Sequence, residues 1–429
     1  MLSRLDLRSV TGPVAAHLPR PRTPADGPVE VVRDIIETVR RRGDAALIDF
    51  TRRFDGVPEP RLSVGPTEPA AALERLDADQ RTALRSAHDA IARYHRAQMP
   101  ADVVLEDAGL RLRGLHRPVH RAGCYVPGGR AAYPSTVLMT AVPARIAGVS
   151  EVVLCVPPGP DGRVPDLVLA AAAVAGVDEI HPVGGAQAIA ALAHGTESID
   201  PVDVIVGPGN VYVALAKQEV AGLVGVPSSF AGPSEVVVIA DASVPPRFAA
   251  IDVIVQAEHG PDGLAWLVTW DEEVADRVSA EIAALVEAAP RRDEILATLG
   301  TSGHVVVCRD AAQAVDVADA IAPEHLELLV ADPEALLERV HNAGAVFVGP
   351  WSPASLGDYV AGPSHVLPTN GTARFASALT VHDFLKDLHV VEADQAAFAR
   401  LGPVVETLAT AEGLAAHADS IRLRREAAP

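Results

Sequence analysis

A glutamine and a histidine near residue 256 are the first side chains whose types and spacing could do chemistry. In the segment Gln256-Ala-Glu-His259, an amide oxygen and an imidazole lie three residues apart at the end of a helical pattern. Residues i and i+3 share a helix face, so both side chains could reach one metal ion. The alternative is a polar helix end that the imidazole caps. The pair predicts either a metal site or a capped helix.

Two downstream segments each place a carboxylate near an imidazole. Glu324 and His325 follow Pro323, while Asp358 and His365 lie in a stretch rich in proline and glycine. An acid after a proline is also ordinary at a helix start, and the second pair could simply hydrogen-bond within a non-repetitive loop. A carboxylate beside an imidazole nevertheless offers two proton acceptors of different strength. We expect these segments to assemble a metal and acid–base site.

The remaining candidate site residues are three glycine turns and a pair near the C-terminus, Glu412 and His417. Gly128-Gly129, Gly184-Gly185 and Gly207-Pro208-Gly209 would let the backbone approach a phosphate, although glycines also punctuate ordinary α/β loops. None matches the Gly-x-Gly-x-x-Gly dinucleotide pattern. Glu412 and His417 lie about 140° apart around an ideal helix, so their spacing alone predicts two surface residues.

The composition excludes several classes of protein. The 429 residues exceed the ~250–300 at which one core stops growing, so at least two domains are expected. The net charge of −20 disfavours nucleic acid and anionic membrane surfaces as partners. Cys124, Cys155 and Cys308 fit neither a disulfide framework nor a cysteine zinc site, so nitrogen and oxygen would hold any metal. With no apolar run for a membrane span or signal peptide, we expect a cytoplasmic protein.

Hydrophobic periodicity predicts helices first and parallel sheets afterwards. Helical spacing over residues 29–53 and 77–96 predicts amphipathic helices. Beyond residue 121, short β-branched runs alternate with alanine-rich helices, which predicts right-handed crossovers. We expect two α/β units in series, the first over residues 126–234, with the early helices packed on the second. The predicted strands are 151–156, 179–183, 202–206, 235–240, 265–270, 304–308 and 345–348.

Eight short blocks contain most of the candidate residues. They are Tyr125-Val-Pro-Gly-Gly129, Gly184-Gly-Ala-Gln-Ala-Ile-Ala-Ala-Leu192, Gly207-Pro-Gly-Asn210, Ala231-Gly-Pro-Ser-Glu235, Gln256-Ala-Glu-His-Gly-Pro261, Pro323-Glu-His325, Gly357-Asp-Tyr359 and His365-Val-Leu-Pro-Thr369. Their identity, order and spacing resemble the histidinol dehydrogenase family, from about residue 30 to residue 425. The resemblance implies an α/β fold of two incomplete Rossmann-like parallel-sheet domains with N-terminal helices, and a small C-terminal helical segment exchanged in a homodimer.

The resemblance also implies domain boundaries. Residues 1–25 would be an N-terminal arm, and residues 26–125 with 235–379 a discontinuous first α/β domain that includes the N-terminal helices. Residues 126–234 would be the second α/β domain, and residues 380–429 the exchanged segment.

The implied activity is the oxidation of L-histidinol through L-histidinaldehyde to L-histidine, in histidine biosynthesis, with two NAD reduced. By matching motifs, one zinc ion per subunit would be held by Gln256, His259, Asp358 and His417. His417 would come from the partner subunit, which replaces its interpretation as a surface residue. The zinc ion would bind the imidazole and amine of the substrate.

The resemblance assigns a role to each remaining candidate. His325 would accept the alcohol proton, and Glu324 would activate water to attack the aldehyde. Besides the metal ligands and His325, the substrate would be contacted by Ser234, His365 and Glu412. NAD would be contacted by Tyr125, Gln187 and Asn210.

The sequence departs from the family pattern at three places: Cys124, Ser364 and residues 226–230, where an acidic residue is missing. Two other functions therefore stay open. One is a zinc- and NAD-dependent dehydrogenase of another small polar alcohol. The other is a non-catalytic nucleotide- or metal-binding protein.

Overall fold

The computed structural model describes residues 2–19, 27–128, 131–227, 234–258 and 263–427. The chain divides into two compact units. The first comprises Met1–Gln98 and His120–Phe384, and the second comprises Met99–Val119 and Leu385–Pro429.

Strands and helices alternate through most of the first unit, as expected for an α/β protein. The strands are β1 (Ser3–Asp6), β2 (Val103–Asp107), β3 (Leu110–Pro118), β4 (Arg121–Tyr125), β5 (Glu151–Cys155), β6 (Glu179–His181), β7 (Val204–Val206), β8 (Glu235–Ala240), β9 (Leu264–Thr269), β10 (Gly303–Val307), β11 (His325–Leu329), β12 (Ala345–Val348) and β13 (Leu385–Ala393). The helices are α1 (Val29–Arg42), α2 (Asp44–Asp55), α3 (Glu68–Arg75), α4 (Ala78–Gln98), α5 (Pro134–Ala147), α6 (Asp166–Ala175), α7 (Gly185–His194), α8 (Val211–Val220), α9 (Pro246–Ala257), α10 (Glu272–Glu287), α11 (Arg292–Ser302), α12 (Ala311–Ile321), α13 (Pro333–Leu337), α14 (Ala354–Tyr359), α15 (Gln395–Ala411) and α16 (Ala415–Glu426).

A six-stranded parallel sheet has the order β1-β10-β9-β8-β11-β12. Alternate residues of its central strands face opposite layers: Val236 and Leu267 pack with α9, α10 and α11, whereas Val237 and Val268 pack with α12. Both faces are covered, which is why these strands read as nearly continuous apolar runs. The first residues of the predicted N-terminal arm belong to this sheet, because Ser3 pairs with His304.

A four-stranded parallel sheet has the order β6-β5-β4-β7. Its core includes Val32, Val39 and Leu47 from α1 and α2, together with β5, β7 and α7. Helices α3 and α4 pack against α6 and α5. The prediction that the early helices pack on the later α/β unit is therefore wrong. A helix period shows that one face is buried, but it does not show against which sheet.

The boundary predicted at residues 125 and 126 is corrected for the same reason. Strand β4 lay in the range given to the first α/β domain, yet it pairs with β5 and β7 of the other sheet. Helices α1 to α4, also placed in that first domain, belong with it. The parallel sheets themselves confirm the predicted α/β class.

The second unit has a three-stranded antiparallel sheet, β13-β3-β2, followed by α15 and α16. The hairpin of β2 and β3 turns at Ala108 and Gly109, which both have positive φ angles of 43° and 83°. Such a pair is typical of tight hairpin turns. The sequence analysis predicted a helical segment over residues 380–429, so this sheet and its recruitment of residues 99–119 are corrections.

No helix in the described ranges combines the length and apolarity required to cross a membrane.

Candidate active site

The predicted catalytic pair lies where β11 begins, beside the start of β8. The two strands are parallel, and His325 is the register partner of Val236. Glu324 therefore stands beside Glu235 at the amino edge of the six-stranded sheet. All three ionisable side chains are buried. Strand pairing thus brings together groups that are about 90 residues apart in the sequence.

Glu324 is held by the residues at the start of β8. Its Oε2 atom accepts a hydrogen bond from the backbone N–H of Glu235 at 3.0 Å, and it also accepts one from the Ser234 hydroxyl. Burial raises the pKa of Glu324; the nearby His325 opposes that rise, and the charge of Asp358 adds to it. A carboxyl group whose pKa moves toward neutrality is suited to accepting and returning a proton.

His325 presents its two ring nitrogens to different surroundings. Nδ1 lies 3.2 Å from the carbonyl oxygen of Glu235 and 3.6 Å from Oε2 of Glu324. Nε2 lies 3.6 Å from Oδ1 of Asp358 and, within the described part of the chain, is buried without a hydrogen-bond partner. Nδ1 is therefore tied to the backbone, and Nε2 is the nitrogen available to a reacting group.

The charges around His325 decide its protonation. Burial by itself lowers the pKa of His325, but the carboxylates of Glu324 and Asp358 outweigh burial and raise that pKa to about 9. With no cation beside Asp358, these two carboxylates favour the protonated ring. A cation beside Asp358 would offset that carboxylate and let the ring become neutral more easily.

Asp358 and His365 are linked through the backbone. Asp358 lies in the short helix α14, whereas the sequence predicted a non-repetitive loop there. Nδ1 of His365 donates to the carbonyl oxygen of Asp358 at 2.9 Å, and Nε2 lies 3.2 Å from the hydroxyl oxygen of Thr136 in α5. A neutral ring with its proton on Nδ1 satisfies both contacts. His365 therefore connects the end of α14 to α5. Thr136 was not among the residues predicted from the sequence.

Two of the four predicted zinc ligands are described in the first unit. Gln256 is buried in the last turn of α9, and Asp358 is in α14. His259 lies outside the described residues, and His417 is in the second unit. Accordingly, no group of three or more histidine, cysteine, aspartate or glutamate side chains in the described ranges is arranged to hold a metal ion.

The residues present nevertheless fit a cation of the predicted kind. The Asp358 carboxylate is beside the buried, unpartnered Nε2 of His325, and Glu324 adds a second carboxylate to the same region. Amide and carboxylate oxygens with imidazole nitrogens suit zinc, and manganese or cobalt also accept such ligands.

A cavity of about 200 Å³ opens beside the catalytic pair. It is lined by Ser234 and His365, which the resemblance assigned to the substrate, and by Glu324, which it assigned to the activation of water. Lys217 of α8 also lines it, and this residue was missed. Its buried ammonium group donates to the carbonyl oxygen of Gly207, and burial lowers its pKa to about 8. A lysine on an apolar helix was the signal that could have identified it.

A larger cavity, of about 1280 Å³, lies at the carboxyl ends of the four-stranded sheet. Its lining includes all three residues predicted to contact NAD: Tyr125 at the end of β4, Gln187 in α7 and Asn210 at the start of α8. Open α/β sheets bind ligands at this edge.

Two of these three side chains also support the local fold. The Tyr125 hydroxyl accepts a hydrogen bond from the Gly185 N–H at 3.1 Å. The Asn210 side-chain oxygen caps α8 by accepting from the N–H groups of Tyr212 and Val213 at 3.1 and 3.2 Å. Both side chains are therefore already fixed by helix starts.

Glu412 and His417 belong to the second unit. Glu412 ends α15, and His417 lies in the first turn of α16. Both are exposed in the single chain. Their assignment to substrate and zinc stays a prediction.

Two of the three departures from the family pattern have structural roles away from the reacting groups. Cys124 is buried in β4, and burial raises its pKa to about 12, so the thiol is inert. The Ser364 hydroxyl donates to the Met139 carbonyl oxygen at 3.1 Å and accepts from the N–H of Val366. Of residues 226–230, the last three lie outside the described ranges.

Comparisons with known proteins agree over nearly the whole chain. The family model for histidinol dehydrogenase matches residues 18–425. The chain is 51% identical over 391 residues to the histidinol dehydrogenase of Parasynechococcus marenigrum, which covers 91% of this chain and 89% of the relative. The enzyme of that name from a Synechococcus strain is 50% identical over 398 residues, covering 92% of both chains.

A solved structure supports the same conclusion. The crystal structure of histidinol dehydrogenase from Elizabethkingia anophelis superposes with a TM-score of 0.94 at 33% identity, covering 99% of this chain and 98% of that one. The buried Glu324 and His325 at the sheet edge, the two cavities and these matches together show that the chain belongs to the histidinol dehydrogenase family of oxidoreductase enzymes.

Proposed function

We propose that this chain oxidises L-histidinol through L-histidinaldehyde to L-histidine, with two NAD reduced in succession, as a step of histidine biosynthesis. The observation that carries the proposal is the contact of the buried Glu324 and His325 with each other and with the half-buried Asp358 at the sheet edge. Family membership supports the substrate. We expect the protein to act as a cytoplasmic homodimer.

The first oxidation needs a base for the alcohol proton. Nε2 of the neutral His325 ring accepts that proton while the alcohol carbon loses a hydride, for which NAD would be the acceptor, and the product is the aldehyde. Nδ1 remains bonded to the Glu235 carbonyl oxygen, so the ring keeps its orientation through the transfer. A zinc ion held by Gln256, His259, Asp358 and His417 of the partner subunit would orient the substrate's imidazole and amine and offset the charge of Asp358.

The second oxidation begins with water. Glu324 takes a proton from a water molecule, whose oxygen bonds to the aldehyde carbon, while His325 returns its proton to the former carbonyl oxygen, which gives the hydrated aldehyde. The neutral His325 then accepts a hydroxyl proton as the same carbon loses a hydride, for which a second NAD would be the acceptor. The product is the carboxylic acid, which ionises to the carboxylate by losing a proton to water. Ser234, His365 and Glu412 would contact the substrate during both steps.

The second cavity supports the cofactor assignment. Tyr125, Gln187 and Asn210 line it, and its volume suits a dinucleotide better than the smaller cavity does. Pro127 lines both cavities, so a nicotinamide ring at this boundary could approach a substrate beside Glu324. Enclosure would also keep a reactive aldehyde from solution.

The stoichiometry of the reaction tests this proposal. Purified protein is incubated with zinc, NAD and a limiting amount of L-histidinol. We expect about two NADH for each histidine formed. Other small polar alcohols serve as the comparison substrates. One NADH per histidinol, no turnover of histidinol, or a clear preference for another alcohol would reject the proposal.

A further inference from the structure

Two buried acids lie beneath the candidate site, Asp252 in α9 and Glu327 in β11. Glu327 is fully buried and Asp252 is 9% exposed. Their carboxyl groups are within hydrogen-bonding reach of each other, and within the described ranges the buried Oε2 of Glu327 has no other hydrogen-bond partner. Two carboxylates cannot form such a bond without a proton, so one carboxyl group must donate its O–H to the other.

The surroundings favour retention of that proton at neutral pH. Burial and the charge of Asp252 raise the pKa of Glu327 to about 9, and burial also raises the pKa of Asp252. The cost of burying two acids is reduced when one is neutral and both are hydrogen-bonded.

Each acid lies on the same face of its strand or helix as a predicted site residue. Glu327 lies two residues after His325 on the same face of β11, the face that packs toward α9. Asp252 lies one helical turn before Gln256 on the same face of α9. The hydrogen bond between the acids therefore joins the two elements directly below their functional side chains.

Glu327 also binds the start of a third element, helix α14. Its Oε1 atom accepts a hydrogen bond from the backbone N–H of Ala354 at 2.9 Å. Ala354 begins α14, and Pro353 at the N-cap provides no side-chain cap. The carboxyl group of Glu327 supplies the cap from another strand. Asp358 lies one turn further along α14.

We propose that Asp252 and Glu327 share one proton and act as a positioning pair, which sets α9, β11 and α14 so that Gln256, His325 and Asp358 converge. This inference rests on the proposed function for what converges there. If the pair had only a structural role, any substitution that lowers the free energy of unfolding by the same amount would have the same effect on metal binding and turnover. The positioning role predicts a specific effect on metal binding and turnover.

Two substitutions of Glu327 separate hydrogen bonding from side-chain size. In Glu327→Gln the amide N–H₂ can donate to Asp252 while the amide oxygen still accepts from Ala354. In Glu327→Met the length is similar but both hydrogen bonds are lost. Leu328→Ala is the matched control, because Leu328 is fully buried in the same strand and faces the opposite layer.

Zinc affinity, by competition with a chelator, and kcat and KM for L-histidinol are measured on the full-length protein. We expect Glu327→Met to weaken zinc binding by roughly 10–100-fold and to lower kcat, as loss of a partner behind a ligand commonly does. Glu327→Gln should stay within about threefold of wild type, and Leu328→Ala should lose stability with its zinc affinity retained.

Native zinc affinity and kcat in Glu327→Met would overturn the inference. So would a Glu327→Gln variant as impaired as Glu327→Met, or an equal loss of zinc affinity in Leu328→Ala. A wild-type protein that binds no zinc and oxidises no histidinol would instead reject the proposed function.

Infrared spectroscopy tests the shared proton without metal or substrate and does not require the methionine variant to fold. The spectrum of Glu327→Gln is subtracted from that of the wild type at neutral pH. We expect the difference to show the C=O stretch of a protonated carboxylic acid, and Asp252→Asn should remove the same band. A difference without that band would overturn the shared proton.

Discussion

At the residue scale, the pKa values of Glu324 and His325 are shifted by different causes, although the two residues are adjacent. Burial raises the pKa of Glu324, whereas the carboxylates of Glu324 and Asp358 outweigh burial and raise the pKa of His325. The same contact therefore raises the proton affinity of both groups. Two proton acceptors in contact can take and return protons at one site.

Glu324→Gln is expected to separate the two oxidations. The amide keeps the size of the side chain but cannot take a proton from water. The first hydride transfer should remain largely intact, and the second should fall by roughly 10²–10⁴-fold, the usual contribution of a general base. Rapid-quench measurement of the first NADH, with trapping of histidinaldehyde, follows the two stages.

Glu338→Gln is the control for that measurement, because Glu338 is an exposed glutamate after α13. Its two stages should keep wild-type rates. If Glu324→Gln completed both oxidations at the normal rate, the role of Glu324 as the water-activating base would be wrong.

Glu235 contacts Glu324 and His325 but was not among the predicted residues. Its side chain makes the free energy of unfolding depend on pH. Burial, followed by the charge of Glu324, raises its pKa from 4.5 to about 8. Between these values the folded protein holds a proton that the unfolded chain has lost. The free energy of unfolding therefore falls as the pH rises through this window.

Glu235→Gln should remove that fall because the amide does not titrate. Relative to the variant, wild-type protein should lose on the order of 2–4 kcal/mol of unfolding free energy between about pH 5 and pH 8. Urea unfolding across this range measures the difference. Parallel curves for the two proteins would show that Glu235 is not buried as a proton-holding acid.

At the element scale, the turn from β7 to α8 connects the two cavities. Gly207 has a φ of 107°, and a β-carbon there would overlap the Tyr125 carbonyl oxygen. Its own carbonyl accepts from Lys217, and Asn210 caps the following helix. Residues 207–210 therefore combine a left-handed glycine, close packing against β4 and the cap of α8.

Gly207→Ala should lower both stability and NAD binding. Gly222→Ala is a matched control, since Gly222 has a φ of 96° but open space around it. The control should show only the cost of a left-handed alanine, about 1–2 kcal/mol, with normal NAD affinity. Urea unfolding and NAD titration compare the variants. Equal losses in both would mean that the overlap with Tyr125 is relieved at little cost.

At the scale of the whole molecule, the predicted metal site draws on separate parts of the chain. Gln256 and Asp358 are in the first unit, and His417 is in the second. The resemblance implies that His417 acts in the partner subunit's site. A closed site built from two subunits would retain the aldehyde between the oxidations.

Mixing two inactive variants tests the sharing of sites. His325→Ala removes the base, and His417→Ala removes the ligand expected from the partner. After subunit exchange, a mixed dimer should contain one intact site, so part of the wild-type activity should return. Exchange is verified by mass spectrometry of differently tagged chains. Verified exchange with no recovered activity would place His417 in the site of its own chain.

The sequence by itself determined most of the parallel strands and which residue types could react. The β-branched runs became parallel strands because both sheet faces are covered by helices. The motif blocks contained Glu324, His325, Tyr125, Gln187 and Asn210, and these side chains line the described cavities or contact one another. Short-range patterns suffice here, because periodicity and motif spacing are local properties.

Only the tertiary structure decided which distant elements meet. An amphipathic face requires burial but does not choose a sheet, so the packing of α1 and α2 could not be read from their periodicity. The hairpin of residues 99–119 joins β13 through strand pairs about 270 residues apart. Burial shifts the pKa values of Glu235, Lys217, Asp252 and Glu327, and burial depends on the whole folded arrangement.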